Sequence, residues 1–239
     1  MKRKKIVILT GAGISAESGI QTFRGAGGLW NGHKVEDVAS PAGFRKNPTA
    51  VLQFYNERRK DAAKAQPNLG HKALVELEKK FDVTVITQNV DDLHERAGST
   101  NVLHLHGKLS EVRSSKDKNL IYDYKDRPIF VGDKCELGSQ LRPNIVWFGE
   151  DVPMISKAIQ ISSKADIFIV IGTSLAVYPA ASLIGCPSDE AAKVIIDPNF
   201  PEVGSYVANL KFIGEKATVG VPYVVENLLL DADFFTRFG

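Results

Sequence analysis

A glycine-rich turn near the start of the chain contains the first residues that could do chemistry. Gly11, Gly13 and Ala16 follow the apolar run 6–9 with the G-x-G-x-x-G/A spacing of a dinucleotide loop. Glycines let the backbone approach a pyrophosphate, and the N–H groups at the N-terminus of the next helix are expected to bind it. Such a turn can also serve close packing alone, and the spacing leaves both interpretations open.

The segment after this turn departs from an ordinary dinucleotide fingerprint. An acidic residue is expected about 20 positions on, where it holds the ribose hydroxyls. Thr22, Phe23, Arg24 and a second group of glycines stand there instead. Phe23 offers an aromatic face and Arg24 a bidentate donor for phosphate, so the segment can fold over a ligand. The alternative is a solvated loop with a buried phenylalanine.

Polar residues follow a second apolar run. The amides of Gln88 and Asn89 can hold ribose hydroxyls or a carboxamide, and Asp91 can accept from an amide N–H. Position alone slightly favours a simpler role, in which Asn89 or Asp91 caps the following helix.

His106 stands at the end of a further strand-like run, beside Gly107. Histidine titrates near neutral pH and suits a general base. A structural histidine is the alternative. Because no serine or cysteine is placed as its nucleophile and no metal-type histidine spacing accompanies it, a catalytic His106 is expected to act on the ligand itself.

The elements that must position these residues are short strands alternating with helices. The predicted strands are 5–10, 83–87, 102–105, 165–171, 193–196 and 210–213. Asn68 is predicted to cap a helix over 69–80, Gly98 to end one over 91–97, and Pro222 to open one over 223–230. This order predicts an α/β fold, a Rossmann-like parallel sheet with helices on both faces. The segments at about 25–67 and 108–140 fit less well and are predicted to form a smaller inserted lobe of a single 239-residue domain.

Composition narrows the function classes. The 239 residues are 44% hydrophobic and 24% charged, with a net charge of +2, which is ordinary for a soluble globular protein and does not support a nucleic-acid partner. No apolar stretch approaches a membrane span, and the run after the basic residues 2–5 is too short for a signal peptide. Cys135 and Cys186 make no disulfide framework, so a cytoplasmic location is expected.

Taken together, these segments resemble the sirtuin family of NAD-dependent protein lysine deacylases. The matching motifs cover nearly the whole chain in the family order: Gly-Ala-Gly-Ile-Ser-Ala-Glu-Ser-Gly-Ile at 11–20, Thr-Phe-Arg at 22–24, Thr-Gln-Asn-Val-Asp at 87–91, Leu-His-Gly at 105–107, Leu-Arg-Pro at 141–143, Val-Trp-Phe-Gly-Glu at 146–150 and Gly-Thr-Ser at 172–174.

The resemblance implies a reaction that consumes NAD, transfers the acyl group of a modified lysine to ADP-ribose and releases nicotinamide. His106 would take a proton from a ribose hydroxyl, Asn89 would order the ribose and a water molecule, and Asp91 would hold the nicotinamide carboxamide. The implied partners are acylated-lysine proteins, without a direct nucleic-acid or membrane partner, and the chain is expected to be a monomer.

The resemblance also implies the rest of the site. The further cofactor contacts would be Gly11, Ala12, Gly13, Ser15, Glu17, Phe23, Arg24, Gln88, Gly172, Thr173, Ser174, Asp197, Pro198, Asn199 and Ala217. The substrate backbone would pair, as an added strand, with the segment that contains Val146, Phe148, Gly149 and Glu150.

Tyr55 and Arg58 distinguish the chain from a generic sirtuin. They lie three apart in a helical pattern over 49–65 and therefore share a face. A phenol and a guanidinium together suit a carboxylate. The pair resembles the Tyr-x-x-Arg of sirtuins that remove succinyl and related acidic groups. The alternative is an exposed arginine beside a half-buried tyrosine.

The family's structural zinc site is absent from this sequence. Its two Cys-x-x-Cys pairs would fall near Ser114 and Asp117 and near Lys134 and Leu137, where only Cys135 is a cysteine. One thiolate cannot build a tetrahedral site, so no structural zinc is expected. We expect packing around Ile121, Tyr122, Tyr124, Ile129 and Phe130 to hold the small lobe instead.

Two functions of other classes compete with deacylation. A non-catalytic NAD or ADP-ribose binding module needs no base at the ribose, so the presence of His106 argues against it. An ADP-ribosyltransferase acting on protein would use the same cofactor and the same cleavage, and the products separate it from a deacylase.

Overall fold

The computed structural model describes residues 3–22, 29–30, 32–204 and 207–235, with the backbone alone at 29–30. The elements, in chain order, are β1 Lys5–Thr10, α1 Gly13–Ala16, β2 Leu29–Trp30, β3 His33–Lys34, α2 Val35–Val38, α3 Pro41–Lys46, α4 Pro48–Lys64, α5 Leu69–Leu77, β4 Asp82–Thr87, α6 Leu93–Ala97, β5 Val102–His104, β6 Gly107–Ser114, β7 Ile121–Asp123, β8 Leu141–Ile145, α7 Ile155–Ser162, β9 Ile167–Ile171, a 3-10 helix Ala180–Gly185, β10 Ala192–Ile196, β11 Leu210–Ile213 and α8 Ala217–Leu230.

Six parallel strands form the main sheet in the order β11-β10-β9-β1-β4-β5. They are the six strands predicted from the apolar runs, with ends that differ by at most two residues. Both faces of β1 are buried: Ile6 and Ile8 face α5 and α8, whereas Val7 and Leu9 face α7 and the 3-10 helix. The predicted α/β fold, a Rossmann-like parallel sheet with helices on both faces, is confirmed.

The helix ends agree with the sequence in two of three cases. The side chain of Asn68 accepts from the backbone N–H groups of Gly70 and His71 and so caps α5. Gly98, with φ of 113°, ends α6 in the left-handed conformation. The prediction for Pro222 is wrong, because α8 begins at Ala217 and contains this proline. The proline removes one N–H from the helix ladder, but burial of the apolar face stabilises α8 around it.

A second sheet is antiparallel, of order β7-β6-β8, and we use the name small lobe for this sheet together with α2, α3 and α4. β6 and β7 arise in a segment whose sequence shows little periodicity. A small core joins the sheet to α4, and its buried members are Leu52, Val112, Ile129, Cys135 and Leu141.

Two of the five residues expected to hold this lobe do not do so. Ile129 is fully buried, and Tyr122 and Tyr124 pack against the small core. Ile121 is 48% exposed and Phe130 61% exposed. Alternation explains Ile121, because in β7 Tyr122 faces the core and its neighbours point away.

Within the described part of the chain, no helix combines the length and apolar character needed to cross a membrane.

Candidate active site

The candidate site lies where the strand order of the main sheet reverses. From β1 the chain continues to β4 and β5 on one side, and β9 and β10 lie on the other. Crevices at such switch points, outside the carboxyl ends of the strands, bind ligands in open α/β sheets. The glycine turn after β1 and Gly172 after β9 border this crevice.

The glycines of the turn allow β1 and β9 to approach closely at this point. A Cβ on Gly13 would lie 2.5 Å from the Cα of Gly172, and one on Gly11 would lie 2.6 Å from the Cβ of Thr173. The N–H groups of Gly11 and Gly13 donate to the carbonyls of Ile171 and Gly172, at 3.0 and 2.8 Å. These two N–H groups are therefore used inside the protein, and a pyrophosphate contact of the kind predicted must come from other N–H groups near the start of α1.

His106 is held in one tautomer. Its Nδ1 lies 3.0 Å from the carbonyl oxygen of Gln88. Because a carbonyl only accepts, Nδ1 carries the proton and Nε2 keeps its lone pair. Burial lowers the pKa of His106 from its ordinary value, and the Gln88 hydrogen bond opposes this only in part. The ring is thus a neutral base at neutral pH.

Asn89 and Asp91 both form a hydrogen bond with the hydroxyl of Ser15. The amide of Asn89 donates to the Ser15 hydroxyl, which donates in turn to Asp91, both at 3.1 Å. The other oxygen of Asp91 accepts at 3.1 Å from the N–H of Leu93, the first residue of α6, although the N-cap position itself is Asp92. Burial raises the pKa of Asp91, although both hydrogen bonds oppose the shift.

Two buried histidines that the sequence analysis missed lie beneath this group. His71 of α5 and His94 of α6 stack edge to face with their centroids 5.0 Å apart. His71 lies 3.5 Å from the hydroxyl of Ser15, and His94 lies 3.0 Å from that of Thr10. His94 stands only three positions after Asp91, so closeness to that motif could have identified it, whereas no motif or histidine spacing marks His71.

The other predicted cofactor residues spread along the same edge of the sheet. Thr173 accepts from the Gln88 amide at 3.1 Å. Asp197 accepts from the N–H of Asn199 in a turn, with Pro198 exposed between them. The carboxylate of Glu17 binds the N–H and hydroxyl of Thr218 in the first turn of α8, next to Ala217. Phe23 and Arg24 lie outside the described residues.

A cavity of about 620 Å³ opens between the two lobes beside Asp91. One wall belongs to α4 and includes Arg58, and the opposite wall includes Ile20, Val90 and Asp91. Arg58 pairs with Asp61 at 3.2 Å and lies 5.2 Å from the centroid of the Phe54 ring. A cavity beside an amide, an accepting carboxylate and a neutral histidine at one edge of the sheet is of a kind that suits a nicotinamide nucleotide.

Tyr55 is fully buried and its hydroxyl accepts from the indole N–H of Trp147 at 2.9 Å. Burial raises the pKa of this phenol. Tyr55 therefore contacts the segment 146–150 as well as sharing a helix face with Arg58. The exposures assumed in the structural alternative are not found, because Tyr55 is fully buried and the Arg58 side chain is only 14% exposed. A role of the pair in binding a substrate stays a prediction, and of the two only Arg58 lines the cavity.

Glu150 is bound inside the protein by two arginines. Arg142 contacts both of its carboxylate oxygens, at 2.7 and 3.1 Å, and Arg113 contacts them at 3.1 and 3.2 Å. Burial raises the pKa of Glu150, but the hydrogen bonds from Arg142 and Trp147 outweigh it, and the net shift is downward. The Arg142 guanidinium also stacks 3.3 Å from the Trp147 ring centroid. Arg113, Arg142 and Glu150 are separated in the sequence, so no local pattern predicts this cluster.

The segment expected to pair with a substrate backbone already uses part of its own backbone. Val146 donates to the carbonyl of His106 and Phe148 to that of Ala39, both at 2.9 Å. Gly149 turns the chain with φ of 84°, and the Phe148 side chain is 48% exposed. Any added strand must therefore use the remaining groups of this segment.

The positions of the family's zinc ligands do not fit a metal. Among the described residues, no group of three or more histidine, cysteine or acidic side chains could hold an ion. Cys135 instead lies beside Ser114 and Ser139, and its pKa is lowered, chiefly by a hydrogen bond with Ser114.

Comparisons with known proteins agree with this geometry. The Sir2 family model matches residues 11–179. An NAD-dependent protein deacylase of Helicobacter pylori (strain J99) is 56% identical over 195 residues, 82% of this chain and 83% of that protein. One of Aquifex aeolicus is 46% identical over 233 residues, 95% of this chain and 97% of that protein.

Solved structures extend the match to the whole fold. A Sir2 homologue mutant in complex with ADP-ribose superimposes with a TM-score of 0.87 at 41% identity, over 97% of this chain and 94% of that one. A Sir2 homologue–NAD complex gives 0.85 at 42% identity, over 95% and 90%. The motifs, the sheet and these matches together show that the chain belongs to the Sir2 family.

Proposed function

We propose that this protein is an NAD-dependent protein-lysine deacylase that removes acidic acyl groups such as succinyl as well as acetyl. The observation that carries the catalytic part is His106, a neutral imidazole with Nδ1–H bound to Gln88 and a basic Nε2. A base in this state can take a proton from a ribose hydroxyl at neutral pH. Relatives named NAD-dependent protein deacylase support this assignment.

The residues around His106 have complementary tasks in the proposed reaction. NAD, when bound, supplies a ribose carbon to which the acyl oxygen of the modified lysine can bond as nicotinamide leaves. Asn89, fixed by Ser15 and by the carbonyl of Gly11, orients the ribose. Asp91 faces the interlobe cavity, where it can accept from the carboxamide N–H.

The preference for acidic acyl groups rests on Arg58. It lines the same cavity as Asp91, and burial of most of its side chain strengthens its attraction for an anion. Its ion-pair partner Asp61 is 58% exposed, and a pair of this kind is weak. A substrate carboxylate can therefore replace Asp61 at modest cost.

Product analysis tests the proposed reaction. The purified chain is incubated with NAD and a succinyl-lysine or acetyl-lysine peptide, and mass spectrometry identifies what forms. We expect free lysine, nicotinamide and acylated ADP-ribose. ADP-ribosylated protein would instead identify a transferase, and no turnover of either peptide would identify a binding module.

Arg58→Met tests the acyl preference. Charge-assisted hydrogen bonds contribute about 1.5–3 kcal/mol, so we expect kcat/KM for succinyl-lysine to fall roughly 10- to 150-fold. Acetyl-lysine carries no carboxylate and should react almost as before. Arg45→Met, at an exposed position on α3, removes the same charge outside the cavity and serves as the matched control. Equal losses for both peptides would make Arg58 structural.

Tyr55→Phe is expected to reduce desuccinylation less than Arg58→Met. It also leaves the buried indole N–H of Trp147 without the phenol oxygen, at a cost of about 1–3 kcal/mol in stability. A lower melting temperature is therefore expected for this variant alone. Selectivity must be judged from the ratio of the two acyl activities.

A further inference from the structure

Four consecutive carbonyls, from Thr87 at the end of β4 to Val90 in the loop that follows, bind donors from one short segment, 104–109. Two of the donors are backbone N–H groups and two are histidine side chains. The pairs are Leu105 N–H to Thr87 at 2.9 Å, His106 Nδ1 to Gln88 at 3.0 Å, His104 Nδ1 to Asn89 at 3.0 Å and Leu109 N–H to Val90 at 2.8 Å. The loop that carries Asn89 and Asp91 is thus attached along its whole length to the segment that carries His106.

His104 is the member of this set with an anchor of its own. Its Nε2 lies 2.8 Å from the carboxylate of Glu95, and Lys108 contacts the same oxygen at 2.9 Å. Only 5% of the His104 side chain is exposed. Burial raises the pKa of Glu95, but the hydrogen bond and charge of His104, with Lys108, outweigh it and lower the value to about 2. A carboxylate that remains charged fixes the ring plane, and the ring plane directs Nδ1–H at Asn89.

Asn89 is held from both sides of its backbone. Its N–H donates to the Thr87 hydroxyl at 3.0 Å, and its carbonyl accepts from His104. With the backbone fixed, the side-chain amide reaches the carbonyl of Gly11 and the hydroxyl of Ser15. A displacement of the Asn89 backbone carbonyl would therefore also displace its side-chain amide.

We propose that His104, oriented by Glu95, is a positioning residue of the deacylation reaction, and that its Nδ1–H···O=C bond to Asn89 sets where the Asn89 amide meets the ribose. The inference rests on the proposed function. His104 itself touches neither cofactor nor substrate in this scheme. A displacement of about 1 Å in a catalytic group can cost up to 100-fold in rate.

Two substitutions distinguish the roles of the two ring nitrogens of His104. His104→Asn carries an amide at the level of Nδ1 and keeps a donor for the Asn89 carbonyl. His104→Gln carries its amide at the level of Nε2 and keeps the contact with Glu95. We expect kcat of the glutamine variant to fall about 10- to 100-fold at nearly unchanged KM for the peptide, and the asparagine variant to recover to within about fivefold of wild type.

Stability should follow the opposite order. The glutamine variant keeps the Glu95 contact and should melt at the higher temperature, because the asparagine variant leaves that half-buried carboxylate with Lys108 alone. A purely structural role predicts that activity follows stability, so equal kcat values, or a more active glutamine variant, would overturn the proposal. If the glutamine variant does not fold, the asparagine variant decides alone: a loss greater than tenfold overturns the proposal, and a smaller loss supports it.

Failure of the proposed function can be distinguished from failure of the inference about His104. An inactive wild type would rule out deacylation. Crystal structures of the two variants would then test whether His104 sets the position of the Asn89 amide. An Asn89 amide displaced in the glutamine variant and retained in the asparagine variant supports the claim, and any other pattern overturns it.

Discussion

At the scale of single residues, a backbone carbonyl decides the chemistry of His106. The Gln88 carbonyl takes the proton-bearing nitrogen, and burial disfavours a second proton on the ring. An isolated histidine in solution would interconvert between tautomers and would be partly charged. Attachment to the loop that holds Asn89 gives the proposed base and the amide proposed to orient the ribose one common frame.

His106→Ala is expected to lower kcat about 100- to 10,000-fold, because a general base contributes that much. NAD affinity, measured by calorimetry, should largely persist. In the wild type, the lowered pKa of His106 in the ligand-free chain places the acid limb of the kcat/KM profile below the ordinary histidine value of about 6.5. Turnover close to wild type in the purified variant would contradict the assignment.

At the scale of elements, the β7-β6-β8 sheet holds its shape through apolar packing. Val112 and Ile129 are fully buried between the sheet and α4, and Leu52 completes the contact from the helix. Arg59 of α4 adds hydrogen bonds to the carbonyls of Leu109 and Arg127, at 2.6 and 3.0 Å. Helix and sheet are thus joined by both apolar and polar contacts.

The purified protein is expected to contain no stoichiometric zinc, and chelators should leave its melting temperature unchanged. Cys135 has two serines beside it, and a single thiolate does not build a tetrahedral site. Elemental analysis and thermal melts with and without chelator measure this. Ile129→Ala should lower the free energy of unfolding by about 2–5 kcal/mol. This variant checks that the thermal melt detects a loosened small lobe. About one zinc per chain would refute the prediction.

At the scale of the whole molecule, buried histidines connect the helices beneath the site to the central strand. His94 donates from Nε2 to Thr10, since the Thr10 hydroxyl donates onward to Thr87. Its Nδ1 is buried and meets no donor or acceptor among the described residues. Protonation of that nitrogen would bury a charged donor without an acceptor. The fold therefore requires His94 to remain neutral.

Stability is expected to decrease with acid from about pH 6.5 downward. Burial lowers the pKa of His71 to about 4 and that of His94 to about 3, whereas the unfolded chain protonates both near 6.5. Between these values the unfolded state binds more protons, so each histidine contributes a limiting slope of about 1.4 kcal/mol per pH unit, and the stabilisation is lost as pH falls.

Urea unfolding between pH 7 and pH 4 measures this slope. His94→Gln, which cannot titrate, should flatten the profile whatever its effect at pH 7. An equally steep profile in the variant would assign the acid sensitivity to other groups.

The order of apolar runs and helix signals along the chain predicts the sheet and its two faces of helices, and the family motifs can be read from the sequence alone. Apolar runs such as Ile6–Leu9 must be buried on both faces, which specifies a parallel strand, and Asn68 and Gly98 act through contacts a few residues away. Each of these signals depends on residues that are close together in the sequence, so it can be recognised without knowledge of the fold. The same holds for the motifs, which identified the family before any contact was known.

Which groups the side chains of the site meet depends on contacts between segments far apart in the chain. The partners of Glu150 lie 8 and 37 positions away, and those of His104 lie 9 and 15 positions away. No periodicity encodes such pairs, because they depend on how β5, α6 and the small-lobe sheet come together. The same packing against Gly172 uses the N–H groups of Gly11 and Gly13, and burial of α8 overrides the helix-start signal of Pro222. Contacts between distant segments set these outcomes, and they form only when the chain folds.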